Sequence, residues 1–246
     1  MAEDTLRVSD GAHRAAARRR RSPLWRALRA MIVAALIVLA LPLLLLPLYA
    51  VVNPPVSTVM LWKALGGAGV EKDWADLDDI SPRLVRAVLS SEDARFCSHR
   101  GIDWVEVEKA LDDDDGRFRG ASTITMQTVK NLFLWTGRDW FRKGLELPLA
   151  LYAELVLSKR RIMEIYLNIV EWDTGVYGAG AAAEHYFGVA PSKLSGEQAA
   201  RLAAILPSPE TRDAAKPGPQ TRRIARRIAA RAAQSGPYAA CVLDAP

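Results

Sequence analysis

The sequence predicts a mainly α-helical protein, with a single transmembrane helix near the N-terminus and a helical domain after it. Three observations carry this. The 246-residue chain holds one long uncharged apolar run, Ala30 to Val52. Beyond it, apolar residues recur at three- and four-residue spacing between recognisable caps. Alternating strand patterns are scarce and no internal repeat is present.

Residues 1–29 are rich in Arg and Ala and read as a basic, disordered cytoplasmic tail. Residues 30–52 contain no charge, and about 23 residues suffice to cross a hydrocarbon core of ~30 Å. The run is too long for a signal-peptide core, and no small-residue cleavage site comes after it. Pro42 and Pro47 are tolerable inside a membrane helix, and Asn53-Pro54-Pro55 is expected to stop it. Arg18 to Arg21, Arg26 and Arg29 lie on its N-terminal side. The positive-inside rule therefore keeps the N-terminus cytoplasmic and exports the chain beyond Asn53.

Residues 53–73 form a juxtamembrane segment whose apolar patch, Val59 to Leu65, is expected to join the core. Ser81 and Pro82 open a helix as N-cap and first residue, with Leu84, Val85, Val88 and Leu89 on its buried stripe. That stripe leads to Glu92, with Phe96 one turn on and Asp93 and His99 as polar neighbours. A carboxylate in line with an apolar stripe is partly desolvated, which raises its pKa and improves it as a proton acceptor. A short helix through Trp104, Val107 and Ala110 comes next. Asp112 to Asp115 lacks the alternating ligand spacing of a calcium loop and reads as a solvated loop.

Ser122 or Thr123 can cap a helix that carries Gln127, Lys130 and Asn131 on one polar face. Hydroxyls and amides at a helix start beside a lysine suit an anion or a sugar. Residues 138–170 read as one long helical stretch, with Arg142, Glu146, Ala150 and Glu154 on one face and Pro148 interrupting it. Glu146 has a plain explanation as a surface partner of Arg142. Gly175 to Gly180 reads as a flexible turn. Ser195 with Gln198 forms a capping box for a helix that runs to Ile205, ended by Pro207 and Pro209. A proline-rich link leads to a basic amphipathic helix around Arg222 to Arg231, suited to a membrane surface or an acidic patch of its own domain.

Charge narrows the partners. Residues 1–30 carry eight Arg against three acidic residues, and the chain from Thr211 onward carries seven basic against two acidic. With +5 overall, the domain between them is net negative, which argues against nucleic acid and for anionic lipid at the two ends. Cys97 and Cys241, the only cysteines, could join in an exported compartment or remain as two thiols.

Taken in series, SEDARFCSHRG, GASTITMQTVKNLFL, RKGLE with SKRRIMEIYLNIVEW, and GVYGAGAAAEHYFG with LSGEQAARLAAILPSP resemble the motifs of glycosyltransferase family 51, the peptidoglycan polymerases. The resemblance runs from about Trp74 to Pro209. It implies a lysozyme-like helical glycosyltransferase domain at 74–210 with a small membrane-facing lobe. The basic link and amphipathic helix at 211–246 come after it. Two residues depart from the pattern: Met126, where many members have Gln, and Pro148.

The implied activity is polymerisation of lipid II into glycan strands by inverting transfer, releasing undecaprenyl pyrophosphate. Glu92 would be the general base and Glu146 the second catalytic carboxylate, assisting at the leaving pyrophosphate. Lys130, Arg138, Arg142 and Lys143 would neutralise phosphate. Ser122, Thr123, Gln127 and Asn131 would position oxygens, and Asp93, Phe96 and His99 would shape the pocket. A divalent metal ion, Mg or Mn, is implied, with ligands unassigned. Lipid II, the growing glycan chain, membrane lipids and other cell-wall synthesis proteins are the implied partners, at the bacterial inner membrane with a periplasmic catalytic domain. No Ser is followed three positions later by Lys, so a penicillin-binding domain is not expected. A lysozyme-like lytic enzyme and a non-catalytic anchored scaffold are the alternative readings.

Overall fold

A computed structural model describes residues 23–112, 122–137 and 139–244. The basic tail before Pro23, Asp113 to Asp115 of the acidic run, Gly120 and Arg138 lie outside the described residues. The chain divides into two compact units, one ending at Leu41 and one beginning at Pro42.

Helix α1 runs over Pro23–Leu48, and among the described residues it is the one helix long and apolar enough to cross a membrane. It starts before the uncharged run, so Arg26 and Arg29 lie in its first turns. It also stops at Leu48, short of the expected Val52. Tyr49 and Val52 amides turn back onto Leu45 O and Leu48 O, at 2.8 and 3.0 Å. Pro47 has no N–H to offer the carbonyl of Leu43. The Tyr152 hydroxyl donates to that carbonyl instead, at 3.0 Å.

Helix α2 (Thr58–Leu65) is capped by Ser57, whose side chain accepts from Met60 N. The expectation that this apolar patch joins the core holds for only part of it. Val59 and Met60 are buried, whereas Leu61, Trp62 and Leu65 are exposed, because one helix has more apolar positions than one face can bury. The Thr58 hydroxyl serves the C-terminal carbonyls of the later helix α5, those of Asn131 and Leu134, which have no intrahelical donor.

Strand β1 (Glu71–Lys72) precedes α3 (Pro82–Glu92). Ser81 sits at the N-cap, yet its hydroxyl donates to Leu194 O rather than capping. Leu84, Val85, Val88 and Leu89 are fully buried, and each such side chain contributes about 2 kcal/mol of apolar burial. A short 3-10 turn at Phe96–Ser98 leads to α4 (Trp104–Asp112). Helix α5 (Ile124–Phe133) comes next.

The single helix expected over 138–170 is two, α6 (Trp140–Val156) and α7 (Lys159–Ile169). Ser158 breaks the run by capping α7, accepting from Arg161 N at 3.1 Å. Helix α6 continues through Pro148. Strands β2 (Glu171–Asp173) and β3 (Val176–Tyr177) form a hairpin, and β1 adds to it in the order β1-β3-β2. The glycine run is therefore a packed hairpin rather than a flexible turn. At Gly175 and Gly178, both with positive φ, a Cβ would collide with the backbone of Gly69 and Asp73.

Helices α8 (Ala179–Phe187) and α9 (Gly196–Ile205) come after the hairpin, α9 with the full Ser195–Gln198 capping box. Helix α10 (Pro219–Ala232) turns Thr221, Ala225 and Ile228 inward and packs against α9 and α3, leaving its arginines outward. A final helix, α11 (Gly236–Leu243), packs on α3 and α7. A disulfide joins Cys241 of α11 to Cys97, with Cα atoms 5.7 Å apart.

Candidate active site

Three chain segments converge: the end of α3, the start of α5 and the first turns of α6. Asp93, just past α3, is buried and accepts Ile124 N at 3.0 Å, which fixes the first turn of α5 against it. The same carboxylate takes His99 Nε2 at 3.0 and 3.1 Å. Thr123 caps α5 by accepting Met126 N at 3.1 Å and donates to Gly101 O at 2.5 Å. Gly101 needs to be glycine: at φ 81° a Cβ would lie 2.8 Å from Ala150 O of α6. Phe96 is fully buried, edge-on to His99, with Lys159 Nζ 4.2 Å above its ring. Phe96 and His99 thus support the site from behind rather than lining it.

Glu92 is half-buried and lines a cavity of about 220 Å³, with Ser122 and Thr123 on its wall. It accepts one hydrogen bond from Gln127 Nε2, at 3.2 Å. The orientation of that amide is set from below: the Tyr166 hydroxyl donates to Gln127 Oε1 at 3.3 Å. Tyr166 is fully buried and its pKa is raised well above 10.0, so it stays a donor. Burial pushes the Glu92 carboxyl above its usual 4.5, and the Asp93 charge adds to this. The Gln127 bond, the Lys130 charge and the Ser91 side chain oppose the shift without cancelling it.

Gln127 also lines a cleft of about 670 Å³ together with Lys130, Asn131 and Arg142, and with Glu171 and Glu210, which pair with Lys63. Glu146 stands behind Arg142. Its carboxylate binds the Arg142 guanidinium through one oxygen and Lys143 Nζ through the other, at 3.0 Å for the lysine. Its side chain is 3% exposed, so the pair is not the surface ion pair its spacing suggested. Lys143 also donates to Ser122 Oγ at 2.8 Å. Burial and the neighbouring cations Arg142 and Lys130 push the Lys143 ammonium down to about 8, even with Glu146 in contact. Burial, then Arg142, lowers Lys130 as well.

The structure thus brings together Glu92, Asp93, Ser122, Thr123, Gln127, Lys130, Asn131, Arg142, Lys143 and Glu146. Neither Glu92 nor Glu146 lines the large cleft; each backs onto it through a neighbour, Gln127 and Arg142. Tyr166 is the positioning residue that sequence reasoning missed, since its place in an apolar helical stripe makes it look like core. Met126 is buried in the core, so the departure there contributes packing rather than a polar contact.

Among the described residues, the carboxylates around the cleft are already engaged: Glu171 and Glu210 on its wall both pair with Lys63. Both oxygens of Glu146 are engaged by cations. Among the described residues, the carboxylate–imidazole group compact enough for an ion is Asp93, His99 and Asp103. Those carboxylates already serve the Ile124, Val105 and Glu106 amides, His99 and Arg95. None of the three lines the large cleft.

The transglycosylase family model matches residues 60–233, which reaches beyond the motif series at both ends and takes in α10. The chain is 56% identical over 190 residues to a biosynthetic peptidoglycan transglycosylase of Brucella suis, covering 76% of this chain and 85% of that one. A protein of the same name from Rhizobium meliloti is 53% identical over 192 residues, covering 77% and 81%. Another from Nitrobacter winogradskyi is 51% identical over 210 residues, covering 84% and 92%. On the family match and these identities, the chain belongs to the transglycosylase family.

Proposed function

We propose that the chain is a peptidoglycan glycosyltransferase that polymerises lipid II into glycan strands. Glu92 takes the proton from the 4-hydroxyl of the acceptor GlcNAc. The freed oxygen attacks the anomeric carbon of the growing chain with inversion, and undecaprenyl pyrophosphate leaves. The observation that carries this reading is a sheltered carboxylate of raised pKa, held by Gln127, next to a cleft where Lys130 and Arg142 line one stretch of the wall while its carboxylates, Glu171 and Glu210, are taken up by Lys63. A base near neutrality and fixed cations for a departing diphosphate are what the reaction requires.

Glu146 acts through its neighbours. By pairing with both Arg142 and Lys143 it holds two cations in place beside the cleft, which fixes their charge before the leaving group arrives. It is thus a positioning residue.

The enzyme works at the bilayer surface, N-terminus inside and catalytic unit outside. The arginines ahead of α1 support that orientation, as does the disulfide, which persists in oxidising compartments. Exposed Leu61, Trp62 and Leu65 on α2, and Phe141 and Leu155 on α6, suit a lipid contact.

Incubating the full chain in detergent with lipid II tests the proposal. Polymer and released undecaprenyl pyrophosphate are expected. Cleavage of finished peptidoglycan without polymerisation would replace the reading with a lytic one.

A further inference from the structure

The last turns of α1 belong to the catalytic unit as well as to the anchor. From Pro42 onward they fall within the second compact unit. Leu46 is fully buried and Tyr49, just past the helix, is buried too, whereas Leu36, Ile37 and Leu39 earlier in α1 are exposed. The Tyr49 ring stacks on Phe133, the last residue of α5, with centroids 6.2 Å apart. From α6, the Tyr152 hydroxyl donates to Leu43 O at 3.0 Å.

Arg161, in the first turn of α7, closes this contact. Its Nε donates to Tyr49 O at 2.7 Å, and its Nη2 to Val52 O at 2.9 Å and Asn53 Oδ1 at 2.7 Å. Nη1 binds Glu164, which steadies the guanidinium from its own helix. Just beyond, Lys72 Nζ donates to Pro54 O and Pro55 O, at 2.5 and 3.0 Å. Carbonyls at a helix exit lack backbone donors, and a cation there also complements the helix dipole. Capping alone would need one side chain. Here three helices converge on one exit, and two of them build the site: α5 carries Gln127 and Lys130, and α7 carries Tyr166, which orients Gln127.

We infer that Arg161 is a positioning residue for a lipid-borne substrate: by clasping the chain where it leaves α1, it sets the height of the Glu92 cleft above the bilayer. The inference rests on the polymerase reading above. A substrate held in lipid by its prenyl chain presents its diphosphate and sugars at one depth. A catalytic unit on a loose tether would meet them in few of its orientations, whereas one fixed to the end of its own anchor is already placed.

The test uses the full chain and two substrates. One is lipid II with its undecaprenyl chain, in vesicles that also hold the enzyme. The other is a lipid II analogue with a short, water-soluble prenyl chain, offered to the enzyme in detergent. Arg161→Ala is expected to lower kcat/KM about tenfold in vesicles, the worth of one charge-assisted hydrogen bond, and to leave the short-chain reaction within about twofold. Arg161→Lys keeps the charge without the planar fork, so it should recover part of the vesicle rate. Tyr152→Phe removes a single hydroxyl and should show the same split at smaller size, which keeps the test decisive if Arg161→Ala does not fold. Equal loss on both substrates would make the clasp a folding device, and an unchanged vesicle rate would make it idle; either result overturns the inference. Absence of polymer from both substrates with the native chain overturns instead the polymerase reading, so the two failures are told apart.

Discussion

Glu92 and Glu146 are the same residue type in opposite surroundings. At the end of α3, Glu92 meets a neutral amide and apolar helix, and its hydrogen-bond partner is itself oriented by a buried tyrosine. On the face of α6, Glu146 is more deeply buried yet has two cations on its two oxygens. Burial without a cation in contact makes a base; burial with two cations in contact makes an anchor for those charges. The pair shows that the partner, more than the depth, decides what a carboxylate can do.

The largest way to break this contrast is by activity. Glu92→Gln should lower kcat by about 10³-fold in lipid II polymerisation, the usual worth of a positioned base. The fold should survive. A raised folded pKa means Glu92 favours the native state only below its usual 4.5, and that contribution is gone once pH rises through the folded value. At pH 7 the amide should leave the melting temperature equal or higher.

Glu146→Gln should behave in the opposite way. It leaves Arg142, whose Nε already lacks a partner, and Lys143 without their counter-charge, at a cost of about 3 kcal/mol. Thermal unfolding of the purified chain would show it, and an unchanged melting temperature would remove the anchor role.

Breaking the Cys97–Cys241 link should act on stability rather than on the chemistry. It spans 144 residues of sequence, and its loss should cost up to about 5 kcal/mol by releasing the unfolded chain. Unfolding with and without reductant measures this, against a Cys97→Ser, Cys241→Ser control. The smallest effect concerns the cations: as pH rises past about 8, Lys143 loses its proton and KM for lipid II should climb. Lys143→Arg should move that rise to higher pH.

Much of the site is legible in the chain. Spacing alone puts Gln127, Lys130 and Asn131 on one face, and the Ser195 capping box is present as read. The buried stripe of α3 points at Glu92 because apolar periodicity reports burial directly. What local pattern does not encode is which segments meet. Tyr166 sits among Ile162, Ile165 and Leu167, where its hydroxyl has no visible purpose until α5 lies across it. Two-residue strands are too short for alternation to register, and Ser158 looks unexceptional within a long apolar-periodic run until its cap bond is seen.

The central claim is tested most directly by the acid limb of kcat/KM against pH, which reports the free enzyme's base. A sheltered Glu92 places that limb above the ordinary glutamate range. Gln127→Leu should move it higher still, because it removes a hydrogen bond favouring the charged form. A limb near 4.5 that ignores Gln127 would contradict Glu92 as the sheltered proton acceptor.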